Sequence, residues 1–426
     1  MAKHSKELDD NRPADAEEVL EQHDVAKSIY AGALQKSKEA QELIENTYEI
    51  PADVVDSGTA RVSQVVRSRA ILEKFRQMIQ VDTIEFTVMP LGRGDKERAL
   101  CSKLERALVG VDRRLKWETK RDHDRDAAWW YVLRGQAIYE VRFKPEYKDT
   151  KKFPIRIYTP DPNTIFPVRG MDEIMYYTKE YEVTGRELKK ALKADDKDSA
   201  WIEKDNDPYC CVEYWDDTYH AMVCKDNEEE KGRLLYSKKH GYGFIPLSVG
   251  RCMDTPMSSA EWSYNSVISP VVDSLKQVYI LMSKVAVGVN FNYYPLILYF
   301  SQDGRPIVFN PATNTGADLV PMMPGSKIEV LNPTPNAQIL NQLLSFHLSD
   351  ISLMTIPDIS FGSEPQNLQS GFAVSQVMSA VTGAIKDKLP ELQRAAGDCR
   401  GNVLRLIDQF ASGSGFDFRV PMDFEE

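Results

Sequence analysis

The chain has 426 residues, enough for two or three modules that each bury a core. Its 42% hydrophobic and 27% charged content is that of a soluble globular protein, and no apolar run is long enough to read as a membrane span. A net charge of −11 argues against gripping nucleic acid through a broad basic face, although an acidic wall could let phosphates slide past.

In chain order, residues 1–24 carry Lys3, Lys6 and Arg12 against eight acids. With Pro13 and no apolar core of a signal peptide, they read as a solvated, disordered acidic arm. Val25, Ile29, Ala33, Ala40 and Ile44 then recur at helical spacing to about Asn46. Thr59 to Ile79 continues as a second helix, and Asp82 to Met89 alternates as a strand that Pro90 stops. Two helices are expected at Asp95–Val109 and Asp112–Leu133, with Gly135 leading into a strand at Gln136–Phe143.

The middle changes character. Alternating runs at Ile155–Tyr158, Ile174–Val183, Tyr209–Tyr214, Tyr219–Cys224 and Ile245–Val249 predict a mostly antiparallel sheet in an α+β body. Asp161-Pro162, Gly241 and Gly243 punctuate them as turns.

After Trp262 the pattern simplifies. Pro270 suits the first turn of a long helix to about Asn290. Strand-like pieces follow at Leu296–Phe300, Pro306–Phe309 and Lys327–Leu331, then a helix from Pro335 to Met354. A turn-rich loop, Ile356 to Gln369, precedes the longest helix, Gly371 to Phe410, in which Pro390 removes a backbone bond and should cause a kink. Gly415 to Glu426 reads as a short terminal strand.

Chemical motifs are sparse. There is no Walker-type phosphate loop, no His-Glu-x-x-His and no Gly-x-Ser-x-Gly elbow. The six cysteines lack zinc spacing and read as buried, reduced thiols; the adjacent Cys210 and Cys211 would face opposite sides of a strand. Asp122, His123, Asp124 and Asp126 resemble a metal box, but consecutive positions mid-helix diverge, so a solvated face is expected. Asp161 with Glu187 and Lys189 has the spacing of a PD-(D/E)xK metal-dependent nuclease. However, Thr184 to Glu187 is a capping box, and on a helix Glu187 and Lys189 point apart. Trp129, Trp130 and Tyr131 lack interleaved cations and read as core or interface rather than a base-stacking platform.

Five stretches carry a resemblance: Ala127–Tyr139, a helix–Gly–strand step; Asp161–Val168; Val212–Asp216; His240–Leu247; and Leu368–Ala373 before the long helix. Their order, spread over about residues 50–410, resembles the SPP1-like portal family of tailed bacteriophages, the head-to-tail connectors of the capsid. The resemblance implies an arm at 1–24, a wing at 25–262, stem helices at 263–295 and 332–355, and a clip at 296–331. It also implies a channel loop at 356–369, a kinked helix at 370–410 and a terminal strand at 411–426. Only 16 residues follow Phe410, so any crown would be minimal or absent.

By the same resemblance, the protein would be a non-enzymatic virion component without cofactor or metal, assembled in the host cytoplasm and seated at the portal vertex. It would form a ring of about twelve subunits around double-stranded DNA during packaging and ejection. Gln302, Asp303, Arg305, Asn314 and Asp318 would dock the large terminase and then the head–tail adaptor, with the major capsid and scaffold proteins as further partners and no membrane. Ser363, Glu364, Gln366, Asn367, Gln369 and Ser370 would face DNA; being mostly polar and uncharged, they can touch phosphates without pinning them. The competing readings are another connector or minor head protein, and the metal-dependent nuclease.

Overall fold

The computed structural model describes residues 15–50, 67–79, 87–90, 92, 94–170, 173–194, 201–202, 204–225, 232–252, 265–293, 297–300, 319–322, 337–355, 383, 386, 388–411 and 415–420. The chain divides into two compact units, one of residues 1–37, 75–267 and 382–426, the other of 38–74 and 268–381. The class is mixed α+β with antiparallel sheets, as the alternating runs imply.

The first unit is built on two sheets. Strands β1 (Gln136–Phe143), β2 (Ile155–Tyr158) and β8 (Leu247–Arg251) form a three-stranded antiparallel sheet in the order β2-β1-β8. Strands β3 (Ile165–Arg169), β4 (Ile174–Thr184), β5 (Pro208–Trp215), β6 (Tyr219–Cys224) and β7 (Arg233–Lys239) form an antiparallel sheet in sequence order. On one face of the larger sheet, helix α1 (Ala16–Ile29) seats Val19 against Val212, Tyr214, Ala221 and Val223. Helix α6 (Gly185–Ala194) brings Leu188 and Leu192 into a cluster with Cys211, Met222, Cys224 and Leu235.

Helix α4 (Asp95–Thr119) and helix α5 (His123–Arg134) precede β1. The last helix, α9 (Leu389–Phe410), lies against the small sheet, where Gly250 lets the β8 backbone approach it. A Cβ at Gly250 would stand 2.5 Å from the Glu391 carbonyl oxygen.

Several expectations are corrected. Helix α1 begins at Ala16, inside the segment expected as an arm; its acids lie outward, so composition concealed the buried stripe of Val19, His23 and Ala26. The helix break expected near Gly110 falls instead at Lys120, which takes φ 56°, after which Asp122 caps α5. Gly110 is buried within α4. Of the strand expected at Asp82–Met89, residues 82–86 lie outside the described residues; Thr87, Val88 and Met89 belong to no strand, and the Val88 amide donates to Glu105 at 2.7 Å. Gly415–Val420 joins no ladder and is held by the Asp149 amide on the Gly415 carbonyl and by Phe416 and Phe418; residues 421–426 lie outside the described residues. Strands β3 and β7 were not anticipated; each is an edge strand and neither alternates strongly in sequence.

In the second unit, α7 (Val272–Tyr293) packs against α8 (Ala337–Met354), with Ser274 donating to Asp350 at 2.7 Å. Pro270 lies in a short 3₁₀ turn leading into α7. Tyr279 donates to Asn46 at 2.8 Å, and Lys276 pairs with Glu39 at 2.7 Å. Helix α2 (Ala31–Glu45) and helix α3 (Arg67–Ile79) contribute residues to both units. Strands β9 (Ile297–Phe300) and β10 (Leu319–Met322) pair in parallel; the strand pieces expected at Pro306–Phe309 and Lys327–Leu331 lie outside the described residues.

Gly135 is a joint in the first unit that needs both a left-handed backbone and a bare Cα. It ends α5 at φ 77°, and a Cβ there would sit 2.5 Å from the Asn265 carbonyl carbon. Gly135→Ala combines left-handed strain with a backbone clash, so it should cost roughly 2–4 kcal/mol in urea unfolding. Gly94→Ala, with nothing within 4 Å, should cost far less in the same measurement.

Candidate functional site

The densest polar constellation lies in the first unit, where strands β1, β4, β5 and β6 bring charges together. Glu140 and Arg142 are two apart on β1 and therefore share a face. Arg142 donates through Nε to Glu140 at 2.7 Å and through Nη1 to Glu213 at 3.3 Å, while its Nη2 bridges both carboxylates. Lys179 reaches the other oxygen of Glu140 at 2.9 Å, and the Tyr177 hydroxyl donates to Glu140 at 3.1 Å. Trp215 Nε1 donates to Glu213 at 3.1 Å, and the Tyr181 hydroxyl also donates to Glu213.

Burial works against charge on both acids. Arg142 and Lys179 nevertheless hold Glu140 below its usual value, and Arg142 and His220 hold Glu213 well below. His220 stacks on Trp215 with ring centroids 3.6 Å apart and meets the Tyr236 hydroxyl at 3.1 Å. Desolvation depresses His220 to about 4 despite the pull of Glu213.

Other acids are similarly committed. Arg400 on α9 pairs with Asp112 at 3.0 Å and Asp124 at 2.7 Å, and the Tyr139 hydroxyl donates to Asp124 at 3.1 Å. Glu118 takes Arg114 at 2.9 Å and Arg156 at 2.5 Å. Arg114 also donates to Asp417 at 3.3 Å, and Phe416 and Phe418 pack on Phe143 and Phe153. Such arrangements hold strands and helices together.

The sequence candidates separate accordingly. Asp161 accepts from Asn163 N at 3.0 Å and from Arg134 at 3.2 Å, Glu187 closes the capping box on Thr184, and Lys189 pairs with Asp205 at 2.7 Å. The three are thus engaged separately, without forming one nuclease centre. Asp122 caps α5 and pairs with Lys116 at 2.9 Å, and His123 is buried. The expected solvated face around them is corrected, because the cluster starts a helix that packs inward and Asp124 serves Arg400.

Tyr131 is fully buried, and Trp130 donates to the Thr159 carbonyl at 3.2 Å, as packing side chains do. All six cysteines are free thiols and four are buried. Among the described residues, no group of three or more His, Cys, Asp or Glu side chains could hold a metal ion, and no helix is long and apolar enough to cross a membrane.

Pro390 occupies the first turn of α9, where its missing N–H leaves no helical bond unmade. The loop residues Ser363, Glu364, Gln366, Asn367, Gln369 and Ser370 lie outside the described residues, as do Gln302, Asp303, Arg305, Asn314 and Asp318. What sequence reading missed was the Glu140–Arg142–Glu213 seam. Its one signal was a pair of opposite charges two apart in an otherwise apolar strand. Comparison with models of known protein families and with curated proteins gives no match to this chain.

Because His220 is neutral when folded, the unfolded chain binds the extra proton between about pH 6.5 and 4, and stability falls as pH drops through that window. Urea titrations should show a loss on the order of 3 kcal/mol from this group between pH 7 and 4. His220→Gln should flatten that part of the slope; an unchanged slope would assign the acid sensitivity elsewhere.

Proposed function

We propose that the protein is a subunit of a closed ring that conducts double-stranded DNA, a portal-type channel at a capsid vertex. In this reading it acts by position rather than by catalysis. The ring holds duplex DNA during packaging and ejection, meeting the terminase first and the head–tail adaptor afterwards. The SPP1-like order of elements motivates the portal assignment.

One structural observation carries the assembly part. Helix α8 has no Lys, Arg or Glu, and its only charged side chain, Asp350, is engaged by Ser274. Yet it leaves Ile339, Leu343, Phe346, Leu353 and Met354 exposed, Phe346 at 65% and Leu353 at 82%. Ile339, Leu343 and Phe346 recur at i, i+4, i+7 and Leu353 follows seven residues later, so these exposed apolar side chains form a stripe suited to a neighbouring helix. An apolar stripe on a helix is ordinarily buried, and repetition around a rotation axis buries it without an exposed end.

Solution mass and negative-stain images of the purified protein test the reading first. About twelve copies of the 48.4 kDa chain give particles of roughly 580 kDa with an axial hole. Leu343→Asp/Phe346→Asp should release folded monomers with unchanged far-ultraviolet circular dichroism. A wild-type protein that stays monomeric at all concentrations and salts, alone and with its co-expressed shell proteins, would refute the ring.

The channel part is tested separately, by deleting residues 363–368. Rings should persist while DNA packaging or retention fails. Normal packaging and retention in that deletion would remove the loop from the channel.

A further inference from the structure

We infer that the outward face of α1 in one subunit docks onto the β1–β2 hairpin of a second copy, a contact that rests on the ring reading and specifies part of its interface. The hairpin is a local exception in an acidic chain. Lys144, Lys148, Lys151 and Lys152 stand against Glu146 and Asp149, and Lys148, Lys151 and Lys152 are exposed. Two tyrosines lie among these cations. Lys152 Nζ is 5.2 Å from the Tyr147 ring centre, and Lys144 Nζ is 5.8 Å from that of Tyr158, which is itself 38% exposed.

The hairpin is also held in place before any partner arrives. A 3₁₀ turn spans Pro145–Tyr147, and Asp149, at φ 57°, donates its amide to the Gly415 carbonyl at 2.6 Å. Arg114 Nη2 donates to the Lys151 carbonyl at 2.7 Å, and Lys144 N to the Pro154 carbonyl at 2.7 Å. A preformed loop loses little conformational freedom on binding.

Helix α1 offers the complement. Val19, His23, Ala26 and the following Tyr30 turn inward. The opposite arc exposes Glu17, Glu21 and Asp24, followed by Val25 at 51% and Ile29 at 46%. No cation lies on that arc, and Lys27, on its flank, is committed to Glu180 at 2.5 Å. One surface is thus acidic and aliphatic, the other basic and aromatic. Acids can meet lysines while Val25 and Ile29 cover tyrosine.

With each surface used once per copy, as the ring reading requires, the contact is head-to-tail, and repeated about a rotation axis it closes a ring. A polyanion could also approach the hairpin, but it would leave Val25 and Ile29 uncovered.

Charge reversal tests the pairing. K148E/K151E/K152E and E17K/E21K/D24K should each weaken self-association roughly tenfold or more in sedimentation at low salt. The chain carrying all six changes should recover it, because the reversed faces again match. Circular dichroism of each variant checks folding, and the six-fold variant keeps the test decisive if one triple variant is unstable.

Triple variants that assemble like wild type, or a six-fold variant that does not recover, overturn the contact while leaving the ring in place. A monomeric wild type overturns both. Duplex DNA binding that disappears with K148E/K151E/K152E while assembly is unchanged would reassign the hairpin to nucleic acid and overturn this contact.

Discussion

The first unit depends on one guanidinium. Arg142, on the small sheet, holds Glu140 beside it and Glu213 on the large sheet, so the two sheets share a salt-bridged seam. Removing two carboxylates from water is unfavourable, and it is tolerated here because Lys179, three aromatic donors and the guanidinium saturate their oxygens. A one-residue slip of β1 would turn Glu140 and Arg142 to the opposite face and leave Glu213 buried without its cation. The seam therefore specifies register as well as attachment. An apolar seam of the same shape could hold as firmly but would discriminate less sharply among registers.

The same device recurs further from the sheets. Arg400 brings Asp112 of α4 and Asp124 of α5 to α9, and burial works against its charge until those two acids outweigh it. Glu118 gathers Arg114 and Arg156, and Arg114 goes on to hold the segment around Asp417. In each case cations link elements far apart in sequence. Among the described residues, these buried acids are thereby committed to holding the architecture together.

Much of this architecture was legible where a single period governed the side chains. The strands β1, β2, β4, β5 and β6 follow from alternation, and the α6 start follows from Thr184 and Glu187, whose side chains cap the helix reciprocally. The reading failed where two signals competed. Around α1, a high density of acids outweighed a sparse stripe of Val19, His23 and Ala26, although only the inward third of a helix needs to be apolar. Within α4, Gly110 looked like a stop, yet it is a buried helical position and the left-handed Lys120 ends the helix.

Strands β3, Ile-Phe-Pro-Val-Arg, and β7, Arg-Leu-Leu-Tyr-Ser-Lys-Lys, place apolar residues side by side rather than in alternation, so the period-two signal is weak in both. The charged seam was nearly invisible, since Glu213 lies 71 positions from Arg142 and only the fold brings them together. Asp122 to Asp126 illustrates the converse: an eye-catching local cluster whose members serve a cap, a buried ring and a distant arginine.

The distribution of charge bears on assembly. Glu140 and Glu213 are balanced by Arg142 and Lys179, so that seam adds nothing to the net −11. The excess is carried mainly by groups outside it, and copies of the chain repel one another at long range. The self-association proposed above would then need contacts that win locally: apolar area, as on α8, or opposite charges facing at close quarters. The exposed lysines of the β1–β2 hairpin and the acids of α1 supply the second kind within a single chain. Unlike patches on one chain can meet either reciprocally about a two-fold axis or once per copy around a ring, and the ring proposed above uses each patch once, so that every copy both offers its acids and receives a neighbour's.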